Sequence, residues 1–94
     1  MDSTKNIYQL SPKVVLETFD NGGLVLIIQN RELVELNPSA VDVINLLDGK
    51  NTLEQVATLF AQQYEIPSEN AWLDVLELTT DLYNSGILTL ESHQ

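Results

Sequence analysis

The sequence predicts an α+β domain in which a three-stranded antiparallel sheet is followed by three helices, an order that resembles a permuted winged helix. Residues 14–36 hold short β-branched runs separated by turn signals, whereas residues 37–86 hold apolar residues at helical spacing. The 94 residues suffice for one core but not for two. We therefore expect a single domain over residues 1–94, with its core at about residues 8–90 and polar, frayed ends.

Turn residues divide the first part of the chain into three predicted strands. The first strand is Val14–Phe19, and it ends at residues 20–23, whose Asn and Gly tolerate the positive φ of hairpin turns. Residues 24–28 are continuously apolar, which is typical of a strand covered on both faces. A second turn at residues 29–31 leads to Glu32–Leu36, and the short connections leave this third strand at the edge of the sheet.

Capping residues mark the first two predicted helices. Asn37 caps the first helix and Pro38 takes its first position, while Gly49 ends it because Gly readily adopts the left-handed stop conformation. Thr52 opens the second helix in a capping box with the Gln three residues later. The apolar residues 87–90 either pack on the core or add a strand.

The third helix, predicted at about residues 69–85, has an unusually wide apolar side. A helical wheel places its apolar residues on an arc of about 220°, roughly twice what a core-facing helix needs. Such a helix is either buried on two sides or keeps one flank for a ligand. We assign the core flank to Ala71, Val75, Leu78 and Leu82, and a candidate groove wall to Trp72, Leu73, Leu76 and Thr80. In the alternative interpretation, Trp72 and Leu73 pack beneath an N-terminal arm that contains Ile7, Tyr8 and Leu10.

The predicted edge strand Glu32–Leu36 is the second candidate binding feature. It contains neither Pro nor Lys, which commonly protect edges, so its backbone groups are able to accept an added strand. In the alternative interpretation, the charges of Glu32 and Glu35 protect the sheet against aggregation.

The charge balance disfavours two classes of partner. Four basic and 14 acidic residues give a net charge of −10, which repels nucleic acid and anionic membranes. The longest apolar run, residues 24–28, is far shorter than the ~20 residues of a membrane helix.

Residues 1–10 show no signal-peptide pattern and the chain has no Cys, so we expect a reducing, cytoplasmic location.

Few residues are suited to catalysis or metal binding. The single His, His93, lies in the polar tail, and no Ser is placed with a His base. Asp74, Glu77 and Asp81 share one face of the third helix, either as a hard-cation site or acid pair, or as the solvated face of an amphipathic helix. We therefore expect a protein that is not an enzyme and that uses no cofactor and no metal.

Several segments resemble the PqqD family, whose members recognise the leader peptides of ribosomally made, post-translationally modified peptides (RiPPs). These segments include LNPSA at residues 36–40, LLDG at residues 46–49 and LYNSGIL at residues 82–88. The resemblance implies a three-stranded sheet followed by three helices. It also implies a leader bound as an extra strand beside the third strand, in a groove completed by the third helix. Carried onto this chain, the candidate peptide-binding residues are Arg31, Glu32, Leu33, Val34, Glu35, Leu36, Trp72, Leu73, Leu76 and Thr80.

Charges in this groove bear on the leader that it accepts. Arg31 is placed to pair with a leader carboxylate, whereas Glu32, Glu35 and Asp74 favour a basic or neutral leader.

The start of the chain is similar to one branch of this family. YQLSP at residues 8–12 and GLVL at residues 23–26 resemble the free-standing recognition proteins of lasso-peptide pathways, which deliver a precursor to a leader peptidase and a cyclase. Members that serve pyrroloquinoline quinone synthesis deliver it to a radical SAM enzyme. The resemblance thus implies a precursor leader peptide and one of these modifying enzymes as partners. We expect the chain itself to be a monomer or a weak homodimer. Two alternatives stay open, namely a docking or dimerisation module and a winged-helix DNA-binding regulator, which the charge disfavours.

Overall fold

Six strands and three helices make up the described part of the chain. The computed structural model describes residues 3–92, so His93 lies outside the described residues. In chain order the elements are β1 (Ile7–Leu10), β2 (Val14–Phe19), β3 (Gly22–Ile27), β4 (Glu32–Leu36), α1 (Pro38–Leu46), β5 (Asp48–Thr52), α2 (Leu53–Tyr64), α3 (Ser68–Asn84) and β6 (Leu88–Ser92). The predicted α+β class, with an antiparallel sheet followed by three helices, is confirmed. The strands, however, form two sheets instead of one.

The first sheet has the strand order β2-β3-β4 that the turn signals predicted. A two-residue loop joins β2 to β3, because Phe19 pairs directly with Gly22. The prediction of a turn that includes Gly22 and Gly23 was therefore wrong, since both pair with β2 as the first residues of β3. The strand ends at Ile27, so Ile28 belongs to the following turn.

Strand β4 pairs with β3 over its full length, from Leu36 opposite Gly23 to Glu32 opposite Ile27. Gly22 makes room for this pairing. Its φ of +141° is strained for any other residue, and a Cβ at this position would overlap the carbonyl oxygen of Leu36. The second edge of β4 pairs with no strand of residues 3–92.

The second sheet has the order β5-β1-β6, and its strands β1 and β5 were not among the predicted elements. The N-terminal strand lies between two partners that are distant in sequence, with Gln9 opposite Asp48 and Leu10 opposite Leu88. Strand β5 has the sequence DGKNT, which lacks the apolar alternation of a strand and so gives no local signal. Both expectations for residues 87–90 are met, because Ile87 and Leu88 are buried in the core and Leu88–Ser92 forms strand β6.

Both predicted helix caps are confirmed. The Asn37 side chain accepts a hydrogen bond from the backbone N–H three residues later, at 2.8 Å. Thr52 and Gln55 exchange the two hydrogen bonds of a capping box. The predicted end of the first helix was wrong, because α1 stops at Leu46 and Gly49 lies in β5 with a φ of +82°.

The hydrophobic core lies between the three helices and the inner faces of the sheets. Its most deeply buried side chains are Val25, Val43, Leu47, Leu53, Val56, Val75, Thr79 and Ile87. At the surface, the Tyr64 hydroxyl of α2 donates a hydrogen bond to the Asp42 carboxylate of α1. This bond raises the pKa of Tyr64, because it would be lost if the phenol ionised beside the carboxylate.

Candidate functional site

A cleft of about 470 Å³ lies between the open edge of β4 and helix α3. Val34, Glu35 and Leu36 line it from the strand side. Five residues of α3 line it from the other side, namely Asp74, Glu77, Leu78, Asp81 and Leu82, together with Ser85 just beyond the helix. The lining is completed by the cap and helix residues Asn37, Ser39, Ala40 and Val43, by Phe60 of α2 and by Ile87.

The backbone of β4 presents unpaired hydrogen-bonding groups beside this cleft. Ile28, just after β3, donates its backbone N–H to the carbonyl of Lys13, just before β2. Because backbone groups of successive strand residues point to opposite sides, the even-numbered residues of β3 bond to β2 and the odd-numbered ones bond to β4. By the same alternation, the even-numbered residues of β4 bond to β3. Leu33 and Glu35 therefore direct their N–H and C=O groups to the open edge, where they are available to an added strand.

The floor of the cleft is apolar. Val34 and Leu78 are partly buried on its two walls, while Leu36 and Leu82 are buried more deeply. An apolar side chain placed here would be stabilised by about 25 cal/mol for each Å² of apolar surface removed from water.

The rim of the cleft on the α3 side is acidic. Asp74, Glu77 and Asp81 follow one another along the exposed edge of the helix. Within residues 3–92, no Lys or Arg lines the cleft. The rim therefore attracts cations and repels anions, and it reinforces the net charge of −10.

The structure brings three of the six predicted strand residues to the cleft, residues 34–36. The Leu33 side chain is 65% exposed and alternates to the outer face of the sheet, although its backbone faces the open edge. Glu32 is exposed at the start of β4, and Arg31 adopts a left-handed φ of 58° in the preceding turn. Neither Glu32 nor Arg31 lines the cleft.

The predicted groove wall of α3 lies outside the cleft, since none of Trp72, Leu73, Leu76 and Thr80 lines it. Trp72 instead lines a separate cavity of about 340 Å³ with Thr4 and residues of α2, and Leu73 is 62% exposed. Their predicted position beside β4 is thus corrected, because α3 turns its Leu78 flank toward this strand. Their predicted contact with a peptide stays a prediction.

Burial on two sides accounts for the wide apolar arc of α3. Thr79 lies outside the predicted core flank, yet its side chain is only 1% exposed. Leu78 belongs to the predicted core flank, but it is only partly buried and lines the cleft. On the next flank, the Tyr83 ring meets the Tyr8 ring of β1. Trp72 is partly buried against the core, whereas Leu73 is 62% exposed and so does not pack beneath the N-terminal arm as the alternative interpretation expected.

The outer face of the β2-β3-β4 sheet carries a row of exposed apolar side chains. Val15, Leu26 and Leu33 lie opposite one another across the three strands, with exposed fractions of 44%, 36% and 65%. This row was not predicted, because the continuous apolar run of residues 24–28 suggested a strand buried on both faces. Side chains of neighbouring strand residues point to opposite faces of a sheet, so Leu26 lies on the outer face because Val25 is fully buried on the inner one.

Other kinds of site are not found in the described part of the chain. Among residues 3–92, no three His, Cys, Asp or Glu side chains are grouped closely enough to hold a metal ion, so the acids of α3 form no such group. None of the helices in this range is both long and apolar enough to cross a bilayer.

Together, the two sheets, the open edge of β4 and the helix beside it define a small α+β fold in which an edge strand, open on one side, borders a cleft. The family model described as "Coenzyme PQQ synthesis protein D (PqqD)" matches residues 22–88, and the chain belongs to this family. A PqqA binding protein of Xanthomonas campestris pv. campestris (strain 8004) is 31% identical over 65 residues, which are 69% of this chain and 71% of that protein. The resemblance to the PqqD family is thereby confirmed.

Three solved structures share the fold. A lasso peptide synthetase B1 complexed with the leader peptide has a TM-score of 0.78 and 24% identity, over 87% of this chain and 96% of that one. TbiB1 in complex with the TbiA(beta) leader peptide has a TM-score of 0.77 and 19% identity, over 92% and 98%. The PqqD truncation of Methylobacterium extorquens PqqCD, described as a stand-alone RiPP recognition element, has a TM-score of 0.75 and 24% identity, over 94% and 93%.

Proposed function

We propose that this chain binds the leader segment of a ribosomally synthesised precursor peptide and presents it to a modifying enzyme, without catalysing a reaction itself. Membership of the PqqD family supports this proposal. So do the names of its relatives, since one is a PqqA binding protein and two of the similar structures hold a leader peptide. The receiving enzyme is a leader peptidase with its cyclase, or a radical SAM enzyme.

The open edge of β4 is the observation that carries the proposed binding mode. An extended leader pairs with the free N–H and C=O groups of Leu33 and Glu35 and becomes a fourth strand of the sheet. Such backbone pairing tolerates many peptide sequences, so the side chains around the edge decide which leader fits.

Strand alternation divides the leader side chains between two faces. Leader residues opposite Val34 and Leu36 point into the cleft toward Leu78 and Leu82, because opposed residues in a sheet share a face. Leader residues in between lie on the outer face beside Leu33. The predicted contributions of Trp72, Leu73, Leu76 and Thr80 apply only to a leader that extends beyond the cleft.

A pair of substitutions at Glu35 tests strand addition. Glu35→Pro removes an N–H that faces the open edge and is not used in pairing with β3, whereas Glu35→Ala keeps it. Calorimetric titrations would use the leader segments of precursor peptides encoded beside the gene for this chain. We expect Glu35→Ala to bind within about threefold of the wild type. Glu35→Pro loses at least about tenfold in affinity, because both the hydrogen bond and the fit of the added strand are lost.

Two results would contradict the proposal in different ways. Equal affinities of the folded Pro and Ala variants would exclude strand addition at β4 while leaving leader binding intact. Failure of the folded wild type to bind any of these leaders would exclude leader recognition.

The outer row of Val15, Leu26 and Leu33 favours a second candidate function, docking onto a partner protein or a second copy of the chain. Exposed apolar surfaces that are continuous across a sheet commonly mark interaction sites. Sedimentation equilibrium over a range of concentrations separates the two occupants. A dimer that Leu26→Ser weakens indicates a second copy, whereas a wild-type monomer throughout excludes it and leaves the modifying enzyme as the occupant.

A further inference from the structure

The acidic edge of α3 and the apolar cleft floor together indicate which leader the cleft accepts. We propose that the cleft selects leader strands with Lys or Arg at two inward-facing positions that are two residues apart. The aliphatic stems of these residues lie on Leu78 and Leu82, and their charged ends reach the carboxylates of α3. This inference rests on the proposed function, and it names the chemistry of the peptide that the open edge of β4 would bind.

The row of carboxylates on α3 is long enough to meet two inward-facing residues of an added strand. Asp74 and Asp81 are seven residues apart on α3, which is about 10 Å along the helix, and Glu77 lies between them. Inward-facing residues of an extended peptide recur every two residues, or about 6.6 Å. Two consecutive inward side chains therefore fall within the length of the acidic row.

The combination of surfaces in the cleft suits a long cationic side chain better than the alternatives. An acidic leader residue would be repelled by three carboxylates. A leader with only apolar inward residues would cover the apolar floor. It would also displace water from the carboxylates without offering them a hydrogen-bond donor or a positive charge, which is unfavourable. Lys and Arg satisfy both requirements, because their apolar stems cover apolar surface while their charged ends remain at the rim.

No cation of the described chain competes for this position. The lining contains no Lys or Arg, and Arg31, at the start of the strand side, is not part of it. The carboxylates are exposed and alone would not make a site. The unpaired backbone of Leu33 and Glu35 fixes where the peptide lies, and the carboxylates then determine which side chains it carries.

Selection from a displayed library of random 12-residue peptides tests this inference without a known leader. We expect the wild type to enrich peptides with Lys or Arg at positions i and i+2. Changing both basic residues of such a peptide to Gln lowers its affinity by about tenfold, the effect of two partly screened ion pairs. Raising NaCl from about 50 to about 500 mM removes most of this difference.

Matched protein variants assign the effect to the cleft. Glu77→Gln/Asp81→Asn neutralises two rim carboxylates, while Glu54→Gln/Glu69→Gln makes the same change in net charge on exposed helix positions outside the cleft. We expect the rim variant to bind Lys and Gln peptides equally, and the control variant to keep the wild-type preference.

Each remaining outcome decides one of the two proposals. The enriched peptides could bind the Glu35→Pro variant more weakly than the wild type and yet show no preference for Lys or Arg. This result would overturn the charge selection and leave strand addition in place. If the rim and control variants show the same preference for Lys or Arg peptides, that preference comes from the net charge of the protein and not from the rim, which also overturns the inference. Enriched peptides that are indifferent to Glu35→Pro would overturn strand addition itself.

Discussion

The ring of Tyr83 on α3 meets the ring of Tyr8 on β1 edge to face, with centroids 5.7 Å apart and planes inclined by 70°. Tyr8 is 9% exposed, whereas Tyr83 is 44% exposed. The contact joins α3, which borders the cleft, to the second sheet. Through it, the N-terminal strand contributes to the position of α3, although β1 itself does not line the cleft.

This ring pair leads to a prediction about stability. Tyr8→Ala lowers the free energy of unfolding by about 3 kcal/mol, because it removes a buried aromatic ring. Tyr83→Ala costs about 1 kcal/mol, since its ring is largely solvated and loses mainly the edge-to-face contact. Urea denaturation of both variants and the double variant measures the coupling between the rings. Strictly additive losses would show that the two rings do not interact.

The third helix shows how far sequence reasoning reaches. The wheel correctly indicated an apolar arc too wide for one packing surface, and Ala71, Val75 and Leu82 are buried as predicted. It did not determine which flank faces β4, because that depends on how the second sheet covers the other flank. The wheel therefore assigned Leu78 to the core and Trp72 to the groove, whereas the structure places Leu78 in the cleft.

The strands show a similar division between local and non-local information. Turn residues and β-branched runs located β2, β3 and β4, since a hairpin is specified by adjacent residues. Strand β5 carries polar residues and pairs with β1, more than 35 residues earlier in the chain, as in Gln9 opposite Asp48, so no local apolar pattern marks it as a strand. The open edge of β4 could be predicted because no later apolar segment follows it at hairpin distance.

Gly22 leads to a prediction that links the sheet to the cleft. Gly22→Ala introduces a Cβ that overlaps the Leu36 carbonyl oxygen at a φ of +141°, so we expect a loss of at least about 2 kcal/mol in unfolding free energy. Gly86→Ala is the matched control, because Gly86 also has a positive φ, of +84°, but a Cβ there meets no atom within 4 Å. Its cost is about 1 kcal/mol, from backbone strain alone. Equal losses in urea denaturation would contradict the proposed overlap.

Asp48 leads to a prediction about pH. Its carboxylate accepts hydrogen bonds from the backbone N–H groups of Asn51 at 3.0 Å and Lys50 at 2.9 Å, and these bonds lower its pKa below the ordinary value of 3.8. A lowered pKa in the folded state means that the contribution to stability is present above pH 3.8 and is lost as the pH falls through the folded-state value. The stability advantage of the wild type over Asp48→Asn should therefore be constant near neutral pH and shrink in acid. A difference that does not change with pH would exclude this role of the carboxylate.

The two flanks of α3 make opposite predictions for peptide binding. If the leader occupies the cleft, Leu78→Ser weakens leader affinity by about tenfold, because a partly buried apolar contact of the cleft wall is lost. Trp72→Ala then leaves affinity unchanged and lowers only stability, since Trp72 packs against the core on the far flank. Calorimetric titration with a leader that binds the wild type, together with urea denaturation of each variant, separates affinity from stability. A folded Trp72→Ala variant that loses affinity would instead place the leader, or its continuation, over the flank that the helical wheel first indicated.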